Sequence, residues 1–281
     1  MFRFDIDIFM EEIYDSKRQY SCVIINRAKR VAVVCREGGI LVRQLIQRLK
    51  DCIAIVILSV VLLAALLTAG GYQTYQRALA ERPVANVIKE IHAKPSYVCL
   101  SEVPQIYKEA VLAVEDPRFY KHNGIDFIAI VEALWRDLKE RRLAAGGSTI
   151  TQQLAKNMYF PMDYTIERKI AEVFMVREIE NSYTKNEILE LYINSIYYGN
   201  GYYSLADAGA GYFGKTVAEL NAWECTLLAG LPNAPSAYAP NKHPELALQR
   251  QTQVLNAMVK YDFITQKQAK EILQQCPENF L

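Results

Sequence analysis

The chain has 281 residues, 51% of them hydrophobic and 22% charged, with 32 basic against 31 acidic side chains and a formal net charge of +1. That composition excludes a disordered chain and a nucleic-acid binder working through a broad basic field, so anion recognition has to come from individually placed cations. The length allows one domain with an appendage.

Residues 1–51 read as a basic tail, with Lys and Arg from Arg3 to Lys50, helical near Leu41 to Leu49. From Cys52 to Gln76 no residue is charged, and Ile53 to Leu67 is apolar apart from Ser59. About 20 helical residues cross a hydrocarbon layer of about 30 Å, so residues 52–72 read as a transmembrane helix. A cleaved signal peptide is disfavoured because the apolar run begins only at Cys52, and a buried core helix because no polar face exists. Arg36, Arg43, Arg48 and Lys50 precede the run, against Arg77, Arg82 and Lys89 after it, a modest bias that puts the N-terminus inside. Residues 73–100 read as a juxtamembrane linker, helical between Tyr75 and Ile91 and punctuated by Pro83 and Pro95.

From there the apolar spacing predicts helices and almost no strands. They run over Pro104–Glu115, Phe127–Arg142, Ser148–Met158 and Thr165–Asn181, then on from capping boxes at Thr184/Glu187 and Thr216/Glu219, with a last one from Pro244 to about Tyr261. The expectation is an all-α domain over residues 101–281. Six cysteines at 22, 35, 52, 99, 225 and 276 have no metal-ligand spacing, and Cys99, Cys225 and Cys276 allow at most one disulfide.

Two polar clusters interrupt this pattern. Glu115 and Asp116 follow the apolar run Ala110–Val114 and precede Pro117, so a helix that buries itself ends by presenting two carboxylates. A carboxylate at the rim of a core is a candidate for acid/base work, because apolar neighbours raise its pKa. The alternative is a solvated helix end. The second cluster begins at Gly146-Gly147-Ser148-Thr149, a helix start with Thr149 and Gln152 as a capping box. Thr149, Gln153 and Lys156 then share one helical face, which suits a phosphate or a sugar. Arg168 and Glu172 are helical i, i+4 neighbours, and alone would be an ordinary surface pair. Ser182-Tyr183-Thr184-Lys185 fits a penicillin-interacting serine pattern, but no partner motif follows and too little chain remains for that domain, so Thr184 reads as a helix cap. Trp223 is expected at a lobe or membrane boundary.

Taken in order, the motifs Glu115-Asp116…Phe119…His122-x-Gly124-Ile125-Asp126, Gly147-Ser148-Thr149-Ile150-Thr151-Gln152-Gln153-Leu154-x-Lys156-Asn157, Arg168-Lys169-x-x-Glu172 and Lys185-x-Glu187-Ile188-Leu189-Glu190-Leu191-Tyr192-Ile193-Asn194 resemble the peptidoglycan glycosyltransferases, glycosyltransferase family 51. Each motif alone is weak, and four in the family's order are specific. The resemblance covers about Ser101 to Leu273, and is to a monofunctional or transpeptidase-less relative of the class A penicillin-binding proteins.

That resemblance implies a lysozyme-like, two-lobed all-α domain that polymerises lipid II into β-1,4-linked glycan with release of polyprenyl diphosphate. It implies Glu115 as the base for the acceptor hydroxyl and Glu172 as a second catalytic glutamate beside the donor pyrophosphate, directly or through a divalent ion such as Mg or Mn. Asp116, Phe119, His122, Ser148, Thr149, Gln152, Gln153, Lys156, Asn157, Arg168 and Lys169 become substrate-binding candidates. The implied partners are lipid II, the growing lipid-linked chain, the membrane, and cell-wall synthesis or division proteins, with no nucleic acid. The implied location is the bacterial cytoplasmic membrane, with the N-terminus cytoplasmic and the catalytic domain on the outer face. A glycan-cleaving lysozyme-like enzyme and a silent scaffold are the competing readings.

Overall fold

A computed structural model describes residues 6–140, 147–160, 165–277 and 280. Among them every regular element is helical. The chain divides into two compact units, one ending at Leu66 and the other running from Leu67.

Helix α1 spans Ile6–Glu81 without a break. Between Arg43 and Glu81 it contains the one described stretch long and apolar enough to cross a membrane, and none of that stretch's apolar core is buried inside protein. Side chains such as Ile55, Leu58 and Leu62 are exposed along it. A helical stretch of this length that is apolar on every side has the dimensions of a membrane span, so the chain is membrane-anchored.

In the second unit, Pro83 stops α1 and opens α2 (Val84–His92), whose Val84, Val87, Ile88 and Ile91 are all buried. The expected linker therefore carries a helix whose apolar side is packed. Helix α3 (Gln105–Glu115) buries Tyr107, Ala110, Val111, Leu112 and Ala113. It ends where Asp116 takes φ −158°, ψ 76°, an extended backbone that a residue ahead of proline prefers over the helical one. Then come α4 (Phe127–Glu140), α5 (Ile150–Tyr159), α6 (Ile166–Ser182) and α7 (Lys185–Ile193). The chain closes with α8 (Leu205–Phe213), α9 (Ala222–Gly230), α10 (Pro244–Lys260) and α11 (Gln266–Leu273).

From α3 on, the expected helices are present within a few residues of their bounds, although Thr216/Glu219 opens only a single 3₁₀ turn, Val217–Glu219. The separate helices expected near 41–49, over 52–72 and over 75–91 are instead the continuous α1 and, after Pro83, α2. The expected end of α4 at Arg142 and the glycine at 146 lie outside the described residues. Helices α8 and α11 were not expected. The first has only nine residues with two internal glycines, and its start is set by Ser204 accepting from the Asp207 N–H.

The centre is α9, which packs against α3 and α10, while α3 and α10 also touch each other. Its residues Trp223 to Gly230 are all buried, the mark of a helix surrounded on every side. Trp223 is part of this interior, edge-on to Phe213 and Phe280 and so away from any membrane surface. Helix α5 packs on α6 and α7 as a second layer. The expected cap at Thr184 is observed, and Lys185 beside it pairs with Glu180 at 2.7 Å and lies over the Phe119 ring. Cys99, Cys225 and Cys276 are unpaired; burial pushes the Cys225 thiol up to about 12, leaving it unreactive.

Candidate active site

A cleft of about 450 Å³ opens where the end of α3 meets one face of α4, the start of α5, Lys169 of α6, and Pro232, Asn233, Arg250 and Tyr261 from the α9–α10 side. Glu115, Asp116, Ser148, Thr149, Gln152, Gln153, Lys156 and Lys169 all line it. Helix α4 contributes Ala129, Glu132, Ala133 and Arg136, spaced so that they share one side of the helix.

Glu115 is the last residue of α3, and its side chain is only 9% exposed. Gln153 Nε2 donates to its Oε2 at 2.6 Å. Its Oε1 is buried with no hydrogen bond, and the nearest cation is Arg250 Nη2 at 3.6 Å. Burial raises the Glu115 pKa. The Gln153 bond and the Arg250 charge pull it back, and Asp116 adds to the rise. The carboxyl is thus shifted toward the range a general base needs.

Asp116 points a different way. Its carboxylate is met by His122 Nε2 at 2.9 and 3.1 Å and accepts the Ile150 N–H at 3.1 Å, so it caps the start of α5. His122 Nδ1 accepts the Gly124 N–H at 3.2 Å, which assigns the ring proton to Nε2, facing Asp116. Gly124 has φ +84°, and a Cβ there would stand 2.4 Å from Val176 Cγ1, so only glycine allows this turn. Thr149 and Gln152 close the expected capping box and Thr149 Oγ1 donates to Gly124 O, pinning the two motifs together.

Glu172 is fully buried and does not line the cleft. Arg168 Nη1 lies 3.0 Å from its Oε1 and Lys169 Nζ 2.6 Å from its Oε2. These are charge contacts without well-aligned hydrogen bonds at either oxygen. Arg168 is buried with it, whereas Lys169 is half exposed and reaches the cleft. Of the expected cationic trio, then, Lys156 and Lys169 face the cleft and Arg168 stands behind.

Three further candidates lie elsewhere, the first being His122, which is held against Asp116 and is not among the residues lining the cleft. Phe119 is 1% exposed and belongs to the core, edge-on to His122. Asn157 is exposed on a second, smaller cleft with Arg82, Glu90 and Lys94. The placement of Asn157 follows from side-chain direction, since it and Lys156, one position apart on α5, diverge by about 100°.

Arg250 is the cleft residue that the sequence motifs missed. On α10 the buried residues are Ala247, Gln251, Val254, Leu255 and Met258, and Arg250 falls four residues before Val254 on that same stripe. An arginine on a mostly apolar stripe is the available signal. Its Nε donates to Gly230 O at 3.1 Å and its Nη1 to Gln253 at 3.0 Å, which aims Nη2 at Glu115.

The residues around Glu172 do not fit a divalent ion, because Mg or Mn there would have to displace two cations already against the carboxylate. Asp116, His122 and Asp126 bring three ligand atoms within 4.8 Å of one another, yet each is already committed. Asp126 accepts from the Ile128 and Ala129 N–H groups and from Arg118 at 2.6 Å. Burial pushes its pKa up, but the Ala129 and Arg118 bonds outweigh that and hold it low.

A half-buried cleft with one base-like carboxylate and several cations suits transfer of a group from an anionic leaving group to a hydroxyl. Residues 82–259 match the transglycosylase family, and the chain belongs to it, the family of the peptidoglycan glycosyltransferases. It is 45% identical over 178 residues to a Cupriavidus necator protein named as a transglycosylase, covering 63% of this chain and 77% of that one. It is 46% identical to penicillin-binding protein 1A of Aquifex aeolicus over 63% of this chain but 24% of the relative, so it spans about a quarter of that protein. Among solved structures, penicillin-binding protein 1A of Haemophilus influenzae aligns at 25% identity and a TM-score of 0.39, over 64% of this chain and 17% of the other.

Proposed function

We propose that this protein polymerises lipid II into β-1,4-linked glycan at a membrane surface, releasing polyprenyl diphosphate. The observation that carries the reading is Glu115: a buried carboxylate with a raised pKa and one unbonded oxygen, at the wall of a cleft that also holds Lys156, Lys169 and Arg250. The acceptor's 4-hydroxyl oxygen attacks the donor's anomeric carbon as Glu115 takes the hydroxyl proton, a role worth about 10²–10⁴ in rate. The bond to the diphosphate breaks with its electron pair on the leaving oxygen, and Lys156 and Lys169 meet that charge. One base and direct displacement invert the anomeric carbon, with no covalent glycosyl-enzyme.

Glu172 is then a buried anchor for the cations of its own helix, holding Lys169 toward the leaving group. Residues 1–51 form a cytoplasmic tail, 52–72 the span, 73–100 the segment next to the membrane and 101–281 the glycosyltransferase domain, on the outer face of the bacterial cytoplasmic membrane. A substrate with a polyprenyl tail stays in the bilayer, so tethering raises its effective concentration at the cleft.

The test is to incubate the purified full-length protein in detergent with labelled lipid II. Polymer is the expected product. Digestion of preformed glycan would instead identify a hydrolase, and inert substrate a scaffold.

A further inference from the structure

The two oxygens of Glu115 stand in different surroundings. Oε2 accepts from Gln153 Nε2 at 2.6 Å, and the other end of that amide, Gln153 Oε1, accepts from the Tyr192 hydroxyl at 3.2 Å. Tyr192 sits on α7, is fully buried, and has Gln153 as its hydrogen-bond acceptor. Oε1 has no hydrogen bond and lies 3.6 Å from Arg250.

An amide has a donor end and an acceptor end, and reversing it exchanges them. Reversed, Gln153 would point its oxygen at Oε2 of Glu115, an arrangement favourable only if Oε2 carried a proton. The Tyr192 hydroxyl opposes that reversal by donating to Gln153 Oε1. Burial, and after it the Glu115 charge, raises the Tyr192 pKa well above the ordinary phenol value, so the hydroxyl remains a donor throughout the working pH range.

We infer that Tyr192 and Gln153 form a positioning relay that keeps Oε2 of Glu115 an acceptor and reserves Oε1 for the proton released by the attacking hydroxyl. The inference rests on the reading of Glu115 as the base. In the step itself the O–H bond of the acceptor breaks, its oxygen bonds to the anomeric carbon, the diphosphate leaves with the bonding pair, and the proton ends on Oε1. Gln153, expected from its motif to touch substrate, acts on the base instead, and Tyr192 acts only through Gln153.

The experiment is the pH dependence of polymerisation of labelled lipid II by the full-length protein and its Tyr192→Phe variant. Glu115 also faces Asp116, Arg250 and the Tyr198 hydroxyl, all left in place by this change. Loss of the fixed donor to Oε2 weakens the ionised carboxylate, so the acid limb of kcat should move to higher pH. At neutral pH kcat should fall about 10-fold or more, as when an orienting partner behind a reactive group is removed. KM for lipid II should change less than twofold.

Gln153→Leu should reproduce the shift, and the double variant should be no slower than Gln153→Leu alone, because the two side chains act in series. Wild-type kcat and pH profile in Tyr192→Phe, or additive losses in the double variant, would overturn the relay. If Tyr192→Phe does not fold, Gln153→Leu with an unshifted acid limb overturns it equally. Glu115→Gln separates the two levels: if it is inactive while Tyr192→Phe is normal, the relay falls and the base stands. If Glu115→Gln is active, the base reading itself falls.

Discussion

Lys169 Nζ lies 2.6 Å from Glu172 Oε2, and the pair spans the wall of the cleft: the ammonium is half exposed, the carboxylate 1% exposed. The two halves therefore fail differently when removed. Lys169→Met takes away a cleft cation but leaves Glu172 paired with Arg168, so it should cost about 10²–10³ in kcat, the scale of one lost charge-stabilising group, with little change in Tm. Glu172→Gln removes the buried charge that both Arg168 and Lys169 contact and should destabilise by about 3–5 kcal/mol, besides losing activity. Thermal unfolding and lipid II turnover on both variants check the difference.

Glu115 should show the opposite sign in stability. A carboxyl whose folded pKa is raised binds its proton more tightly in the native state, so folding stability falls as pH rises from the unfolded pKa through the folded one. Glu115→Gln removes that loss. The variant should be inactive yet melt at or above the wild-type temperature at neutral pH, and the gap should close as the pH is lowered below the unfolded pKa. A lower Tm at neutral pH would show that Glu115 holds the fold.

Arg250 and Gln153 both stabilise the ionised form of Glu115. Arg250→Gln should therefore raise the pKa further and move the acid limb of the rate profile to higher pH, with kcat at neutral pH reduced. An acid limb displaced to lower pH would contradict the assignment of Arg250 to this carboxylate.

Much of the site was legible where chemistry is local in sequence. Glu115 ahead of Pro117 had to end a helix, and the Thr149/Gln152 box had to start one, so the two edges of the cleft were readable from residue types alone. The directions of side chains were not. Asn157 follows Lys156 in the same motif, but the helix turns it onto another surface. Phe119 sits among polar motif residues and is nonetheless core, because the 3₁₀ turn Phe119–Lys121 points it inward. Arg250 and Tyr192 reach Glu115 only through packing of α7 and α10, helices whose own patterns read as ordinary amphipathic stretches.

Helix α4 presents a second face opposite the cleft. Phe127, Ile128, Val131, Trp135 and Leu138 are 73%, 58%, 65%, 71% and 74% exposed and lie within about 100° of one another around the helix. On a membrane-anchored chain the expected contact of such an apolar stripe is lipid. The chain has two tryptophans, and Trp223 is fully buried. In bilayers containing brominated lipid, the fluorescence of Trp135 should be strongly quenched and that of Trp223 retained, with Trp135→Phe isolating the second signal. Val131→Glu with Leu138→Glu should lower activity on lipid II in bilayers more than in detergent.

The last turns of α1 suggest that the anchor is more than a tether. Within the unit that begins at Leu67, Gly70 and Gly71 face α6: a Cβ on Gly71 would stand 2.5 Å from Ile170 Cγ2 and 3.0 Å from the Glu167 carbonyl, and one on Gly70 3.3 Å from Glu167 Cγ. Next to it Tyr72 and, one turn on, Tyr75 pack on Phe174 at 5.2 and 5.8 Å, and Tyr75 donates to Glu178. Helix α6 is the helix that carries Arg168, Lys169 and Glu172, so the expectation is that the close approach at Gly71 governs where those cations stand. Gly71→Val should force α1 off α6 at a cost of about 1–3 kcal/mol, the usual range for overpacking. Membrane insertion should be unchanged and kcat lowered, and Ile170→Ala in the same chain should restore part of the loss by making room. A Gly71→Val protein with full activity would show that the contact does not govern the placement of Lys169.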